Sequence, residues 1–397
     1  MSAPAHDRYD IVIVGGGMIG SSIAWWCARD PDFDGRILVV EADPTFEHAA
    51  TSHTNSCIRQ QFGTELNIRI SQFGAAFIRD FAGLMEDPEA PALTIRTFGY
   101  IYLAADPAFA AVLAEQQLLQ ASLGAGTRMM TPDEIAAAYP FYALDDIVAG
   151  SHNTRDEGYF DGGTIFHWLR KRARALGVET LHDRVTDLTL AVDRVTHVTL
   201  ASGARIACGQ IVNAAGTRSA DIAAMAGLSL PVVPHKRYTF IFDAEDPLPR
   251  DLPLTIDPSG IHVRSDGASY MAGCAPDDDG PVDPADFAID HDLWQDTVWP
   301  ALAHRIPAFE RIRLRTTWVG HYDTNTLDRN AVLGPDPRLP NFHFASGFSG
   351  HGLQQSPAVG RGLAEMLVHG RWRSLDLSPL GPGRIAANEP LLERAII

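Results

Sequence analysis

The stretch YDIVIVGGGMIGSSIAWWCARDPDFDGRILVVEAD, Tyr9–Asp43, decides the fold. Ile11–Val14 is a short continuous apolar run, the mark of a strand buried on both faces, and it runs directly into Gly15, Gly17 and Gly20 at G-x-G-x-x-G spacing. A helix starting near Met18 follows. At such a junction the first glycine permits the tight turn, the second lets backbone approach a pyrophosphate, and the third lets the helix lie close on the strand. The free N–H groups and partial positive charge of the helix N-terminus favour that anion. Ile37–Val40 reads as the second strand, and Glu41 at its end places a carboxylate where it can accept bonds from an adenosine ribose. With strands, helix and acid in register, the stretch predicts dinucleotide binding.

Rival readings fail on single residues. A P-loop shares the spacing from Gly15 to Gly20 but needs a lysine next, and Ser21 and Ser22 follow instead. The stretch is not expected to be a signal peptide or membrane span, since Asp7, Arg8 and Asp10 precede the apolar run, three glycines come early, and Arg29 with Asp30 follow soon after.

At 397 residues and 46% hydrophobic content the chain has enough material for two domains with their own cores. Cys27, Cys57, Cys208 and Cys274 lie far apart without a C-x-x-C pair, so neither a disulfide framework nor a zinc site is expected. The fifteen histidines show no H-E-x-x-H or comparable spacing, and no metal is expected. A net charge of −17 argues against nucleic acid and anionic membrane surfaces as partners. Cytoplasmic residence and no integral membrane segment are expected.

After Glu41 the polar run TFEHAATSHTNSCIRQQFG, Thr45–Gly63, leaves the strand end where ligands of open α/β sheets lie. Ser52, His53 and Asn55 can donate to phosphate or flavin oxygens, and Arg59 is its one fixed cation. Residues 64–84 are helical by spacing, with Leu66, Ile70, Phe73, Phe77 and Phe81 on one face. Pro88, Pro91 and the β-like Thr94–Ala105 mark a crossing into a second domain, followed by a helix over 107–123. The chain returns with a helix over 164–176 that is basic at its end and stops at Gly177. Short strands then lead to GQIVNAAGTRS, a strand-to-helix turn of small residues with a helix starting at Ser219. Residues 231–324 are β-rich, with Tyr238–Phe242 alternating and a Pro/Asp loop at 275–286. Phe342–Ala345 finally runs into GFSGHGLQQSPAVGRGLAEMLVHG, a glycine loop opening onto a helix that ends at Gly370. A nucleophile elbow fails there because His351, not glycine, stands two residues after Ser349. The loop reads better as a helix N-terminus aimed at an anion.

GGGMIG with Glu41, the TSHTNSCIRQQFG loop, IVNAAGTRS and GFSGHGLQQSPAVGR stand in the order found in the D-amino acid oxidase and sarcosine oxidase family of flavoenzymes, which the whole chain resembles. EGYFDG (157–162), HKRYTFIF (235–242), VWPALAHRIPAFE (298–310) and HYDTNTLDRNAVLGP (321–335) are similar to the branch of that family associated with assembly of mitochondrial complex I. The resemblance implies an α/β fold of two domains: a Rossmann-like FAD-binding domain (1–90, 151–230 and 325–397) and a mostly antiparallel β-sheet substrate domain (91–150 and 231–324).

It also implies that Gly15, Gly17, Met18, Ile19, Gly20, Glu41, Ala42, Ser52, His53, Val185, Ala215, Gly216, Gly350, His351, Gly352, Leu353 and Gln354 line the FAD. Arg59 matches the family arginine that grips a substrate carboxylate. Gln354 stands where sarcosine oxidases carry a partnering lysine, Met271 stands near their oxygen-activating lysine, and Gly320 or His321 near their flavin-linking cysteine. Non-covalent FAD and slow reaction of the reduced flavin with oxygen are therefore expected. The implied activity is oxidation of a C–N bond in an amino acid or N-substituted amino acid, by hydride transfer to flavin N5. Arg59, Gln354, Tyr322, His262 and Tyr238 would form the pocket, and oxygen or a protein or quinone would accept the electrons. A 2-hydroxy acid dehydrogenase and an FAD-binding assembly factor without turnover stand as alternatives.

Overall fold

The computed structural model describes residues 3–394. One eight-stranded sheet is centred on Arg8–Val14, which pairs in parallel with Ile37–Glu41 on one side and Arg205–Asn213 on the other. Glu179–His182 extends the sheet beyond Ile37–Glu41. Phe342–Ser346 pairs in parallel with Arg205–Asn213 and carries an antiparallel edge strand, Val332–Pro335. The continuous apolar runs are explained by the two faces. Ile11, Ile13, Ile37 and Val39 point into a core shared with the helices Met18–Ala28, Glu65–Arg79, Gly162–Ala175 and Gly352–His369. Val12, Val14, Leu38 and Val40 point into the other core, against Leu188, Val198 and Ile222.

The second eight-stranded sheet runs in the order Ile312–Asn325, Val232–Ala244, Ser269–Cys274, His262–Asp266, Leu254–Ile256, Tyr100–Ala104, Ala149–Asn153, Arg128–Met130. All its pairings are antiparallel except that of Leu254–Ile256 with Tyr100–Ala104. The fold is thus an α/β sheet facing a mostly antiparallel one, and Ala149–Asn153 runs across the junction expected at 150/151.

Local differences from the sequence reading have physical causes. The helix expected over 64–84 breaks at Asp80 (φ −93°, ψ 7°) into Glu65–Arg79 and Phe81–Met85. The break turns both Phe81 and Met85 into the core, where neither is exposed. The helix expected from Thr164 begins at Gly162, because Asp161 caps it by accepting the Thr164 N–H at 2.8 Å. Among the described residues no helix is long and apolar enough to cross a membrane.

Candidate active site

A cavity of about 860 Å³ runs from Glu41 and Val185, past Ala215, to Arg59 and Tyr100, between the strand ends of the first sheet and the face of the second. The glycines at its first end are required by geometry. Gly15 has φ +100°, and a Cβ there would lie 2.3 Å from the Ala214 carbonyl oxygen. A Cβ on Gly20 would lie 2.0 Å from the Gly15 oxygen, which fixes the helix against the turn; Gly20 packs and does not line the cavity. Glu41 accepts the Gly16 N–H at 2.7 Å and the Asp43 N–H at 2.8 Å. Its carboxylate both ties down the glycine turn and faces the cavity, with lone pairs left for a ligand's hydroxyls.

Met18, Ile19, Ala42, His53, Val185 and Gly216 also reach the wall. Ser52 does not; Thr51 takes that place, and its Oγ1 accepts the Met18 N–H at 3.0 Å. The polar loop makes one turn of 3-10 helix over Ala50–Ser52, and that turn rotates Thr51 inward in place of Ser52.

At the other end, Gly350, His351, Gly352, Leu353 and Gln354 form the start of the helix Gly352–His369, whose first N–H groups lack intrahelical partners. Gly350 has φ +92°, and a Cβ there would lie 2.4 Å from the Tyr322 ring. Asp323 holds the loop by accepting the Gly347 and Phe348 N–H groups at 2.8 and 3.2 Å. Burial pushes the Asp323 carboxyl up to about 6, against the loop N–H groups that favour its charge. The folded protein therefore holds this proton more tightly than the unfolded chain, where the carboxyl titrates near ~3.9. Stability from this group is full below that value and is lost as pH rises to about 6. The melting temperature of Asp323→Asn relative to wild type is expected to rise between pH 4 and pH 6 and then level off. A pH-independent difference in a melting series would refute this.

Arg59 is 4% exposed and lies on the wall between the two sheets. Its guanidinium sits 4.6 Å from the Phe62 ring centre, and its Nη2 donates to His351 Nε2 at 3.0 Å. Burial, with Arg59 as a second cause, brings His351 down to about 3, so the imidazole is a neutral acceptor. Arg59 Nε has no partner, and the side chain forms no ion pair among the described residues. Glu157, the buried acid that feels its charge, gives its oxygens to the Gln60 N–H, Gln61 and Asn153. Gln354 does not reach out as a second grip: its Oε1 accepts the Arg59 backbone N–H at 2.9 Å and fixes the arginine's backbone just past the strand Cys57–Ile58.

Tyr322 and His262 face the same end of the cavity. Burial, then the charges of Arg264, Arg237 and Arg59, lowers His262 to about 4, so it is neutral. Tyr238 reaches the wall, but its ring stacks on Phe240 and its hydroxyl accepts the Asp290 N–H at 3.4 Å. Arg237, one residue earlier, lines the cavity with its guanidinium 5.0 Å from the Tyr322 ring centre. The period-2 alternation of this strand was the signal that could have found Arg237. It pairs with both oxygens of Asp279 at 2.6 and 3.0 Å, clamping the Pro/Asp loop over the cavity. Phe287, beyond that loop, stacks between His48 and His321.

Met271 lies next to Arg264, whose Nη2 is 3.3 Å from the thioether sulfur. That guanidinium is bound to Asp266, the Ser265 oxygen and the Asn55 oxygen, and does not line the cavity. All four cysteines are free, and a Cβ on Gly320 would lie 2.6 Å from the His53 Cβ.

Residues 10–366 match the DAO model, described as FAD dependent oxidoreductase. The chain belongs to the DAO family of FAD-dependent oxidoreductases. It is 36% identical to "FAD-dependent oxidoreductase domain-containing protein 1" of Xenopus laevis over 98% of this chain and 85% of that protein. Among solved structures it is similar to L-proline dehydrogenase from P. horikoshii, with a TM-score of 0.84, 24% identity and coverage of 97% and 99% of the two chains. Glycine oxidase from Geobacillus kaustophilus superposes with a TM-score of 0.79 at 22% identity, over 95% and 98%. FAD is the cofactor of this DAO family protein, and the site suits it. The Gly15 turn is open to backbone approach, Glu41 faces the cavity, and two helix N-termini border it.

Proposed function

We propose that the protein oxidises the C–N bond of an α-amino acid or N-substituted amino acid, giving an imine that water hydrolyses. Bound FAD supplies the electron acceptor for the hydride that leaves the substrate's α-carbon. The observation that carries the reading is Arg59, a buried cation on the cavity wall without an anionic partner among the described residues. A buried charge is costly unless a counter-ion meets it, and a substrate carboxylate is the anion that fits. Neutral His351 fixes the guanidinium by accepting from Nη2, and Gln354 fixes the Arg59 backbone. Neutral His262 and the surrounding arginine charges disfavour an ammonium group, so the amine is held in the neutral form that can release hydride. Four free cysteines support a reducing compartment such as the cytoplasm.

The test is anaerobic mixing of the FAD-loaded protein with a panel of amino acids, N-methyl amino acids and 2-hydroxy acids. Bleaching of the flavin band by an amino acid is expected; bleaching by hydroxy acids alone, or by none, would overturn the reading. Air admitted to the reduced protein is then expected to reoxidise it slowly, and a quinone or protein acceptor to do so faster. A fixed cation stabilises the anion formed when oxygen takes an electron, and Arg264 beside Met271 is spent on Asp266 and two carbonyls. Stopped-flow reoxidation in air as fast as turnover would refute this.

A further inference from the structure

Asn55 and His262 line the substrate end of the cavity and are bonded to each other, Asn55 Nδ2 to His262 Nε2 at 2.7 Å. Each keeps a buried polar atom with no partner, Asn55 Oδ1 and His262 Nδ1. Because Nε2 accepts from the amide, the neutral imidazole carries its proton on Nδ1. The pair thus presents one unmet acceptor, the amide oxygen, and one unmet donor, the Nδ1–H. Leaving either unmet in a buried site is costly, so the chemistry points to a ligand that fills both.

An α-amino acid does so: its amine supplies an N–H, and its carboxylate, two bonds away, supplies an acceptor. A carboxylate side chain in place of Asn55 would bind an ammonium; the neutral amide has no such preference. The Asn55 backbone and the imidazole are also held from behind. Arg264 Nη2 donates to the Asn55 backbone oxygen at 3.0 Å, and a Cβ on Gly273 would lie 2.4 Å from His262 Nε2, so the imidazole is pressed against its strand.

We propose that Asn55 recognises the substrate's amine N–H through Oδ1, with His262 locking the amide in that orientation and offering its Nδ1–H to the carboxylate. This rests on the amino acid reading above and adds to it the group that reads the nitrogen.

The test uses two ring carboxylates that cannot be oxidised at an α-carbon, titrated into the FAD-loaded protein and followed by perturbation of the flavin spectrum. Pyrrole-2-carboxylate offers an N–H beside its carboxylate; furan-2-carboxylate offers an oxygen there. Wild type is expected to prefer the pyrrole by about 10-fold, the effect of one hydrogen bond made against one left unmet. In Asn55→Leu the ratio is expected to fall to about one, and in His262→Phe to an intermediate value, because the amide then turns freely. A ratio near one in wild type, an unchanged ratio in Asn55→Leu, or loss of FAD from Asn55→Leu with its fold intact by circular dichroism would each overturn the proposal, the last by placing Asn55 on the flavin. If neither ligand perturbs the flavin, the carboxylate reading itself fails and takes the proposal with it. That outcome is distinct from equal binding of both ligands, which leaves the carboxylate reading standing.

Discussion

Arg59→Met is expected to lower kcat/KM for an amino acid substrate by about 100-fold, a charge-assisted bond contributing ~1.5–3 kcal/mol, or about 10- to 150-fold. FAD content should stay near normal, because the glycine turn and Glu41 lie at the opposite end of the cavity from Arg59. The backbone bond from Arg59 N–H to Gln354 Oε1 survives the substitution. Methionine also relieves a buried, unpaired cation, so the melting temperature of the substrate-free variant is expected to rise. Loss of activity with increased stability separates a functional charge from a structural one. Wild-type kinetics in a steady-state assay would show that the carboxylate is not read here.

Glu41→Arg is expected to leave less than about a tenth of the protein loaded with FAD after purification. The carboxylate accepts from Gly16 and Asp43, and replacing it removes two charge-assisted bonds that hold the glycine turn. It also sets a cation against ribose hydroxyls and three glycines. The absorbance ratio of flavin to protein reads the effect, and denatured wild type should release all its colour into the supernatant. Full loading of the variant would mean that Glu41 holds no part of the cofactor. Colour retained on the precipitated wild-type chain would instead show a covalent link.

Much of this was legible in the chain because local chemistry forced it. The continuous apolar runs at 11–14 and 37–40 alternate between two separate cores, which only a sheet covered on both faces allows. Gly15 and Gly20 are glycine because any Cβ would strike backbone. Arg59, Tyr322 and His262 all line one cavity. Arg237 is obscured in the sequence by the apolar alternation of Tyr238–Phe242, which marks the buried face of the same strand. Thr51 is not separable from Ser52 in the sequence, because nothing there shows that the loop winds into a turn of 3-10 helix. Gln354's motif marks it as a pocket residue, but its bond to the Arg59 backbone joins residues 295 positions apart. Contacts of that range follow from packing, which no local pattern encodes.

The sheet that carries the cofactor has a consequence for how the protein is made. Arg8–Val14 finds its partner Arg205–Asn213 only after nearly two hundred residues, and the helix Met18–Ala28 packs on Gly352–His369, near the end of the chain. During synthesis the first strand and helix leave the ribosome with two apolar faces bare; earlier segments cover them in part, and the helix face is completed only when the last long helix arrives. Pairings of such long sequence separation close slowly, because loop entropy is lost before contacts compensate. The glycine turn and the GFSGHG helix start meet across that same late junction. A cofactor held by both segments binds the folded chain better than the unfolded one, and through mass action it draws that late junction closed.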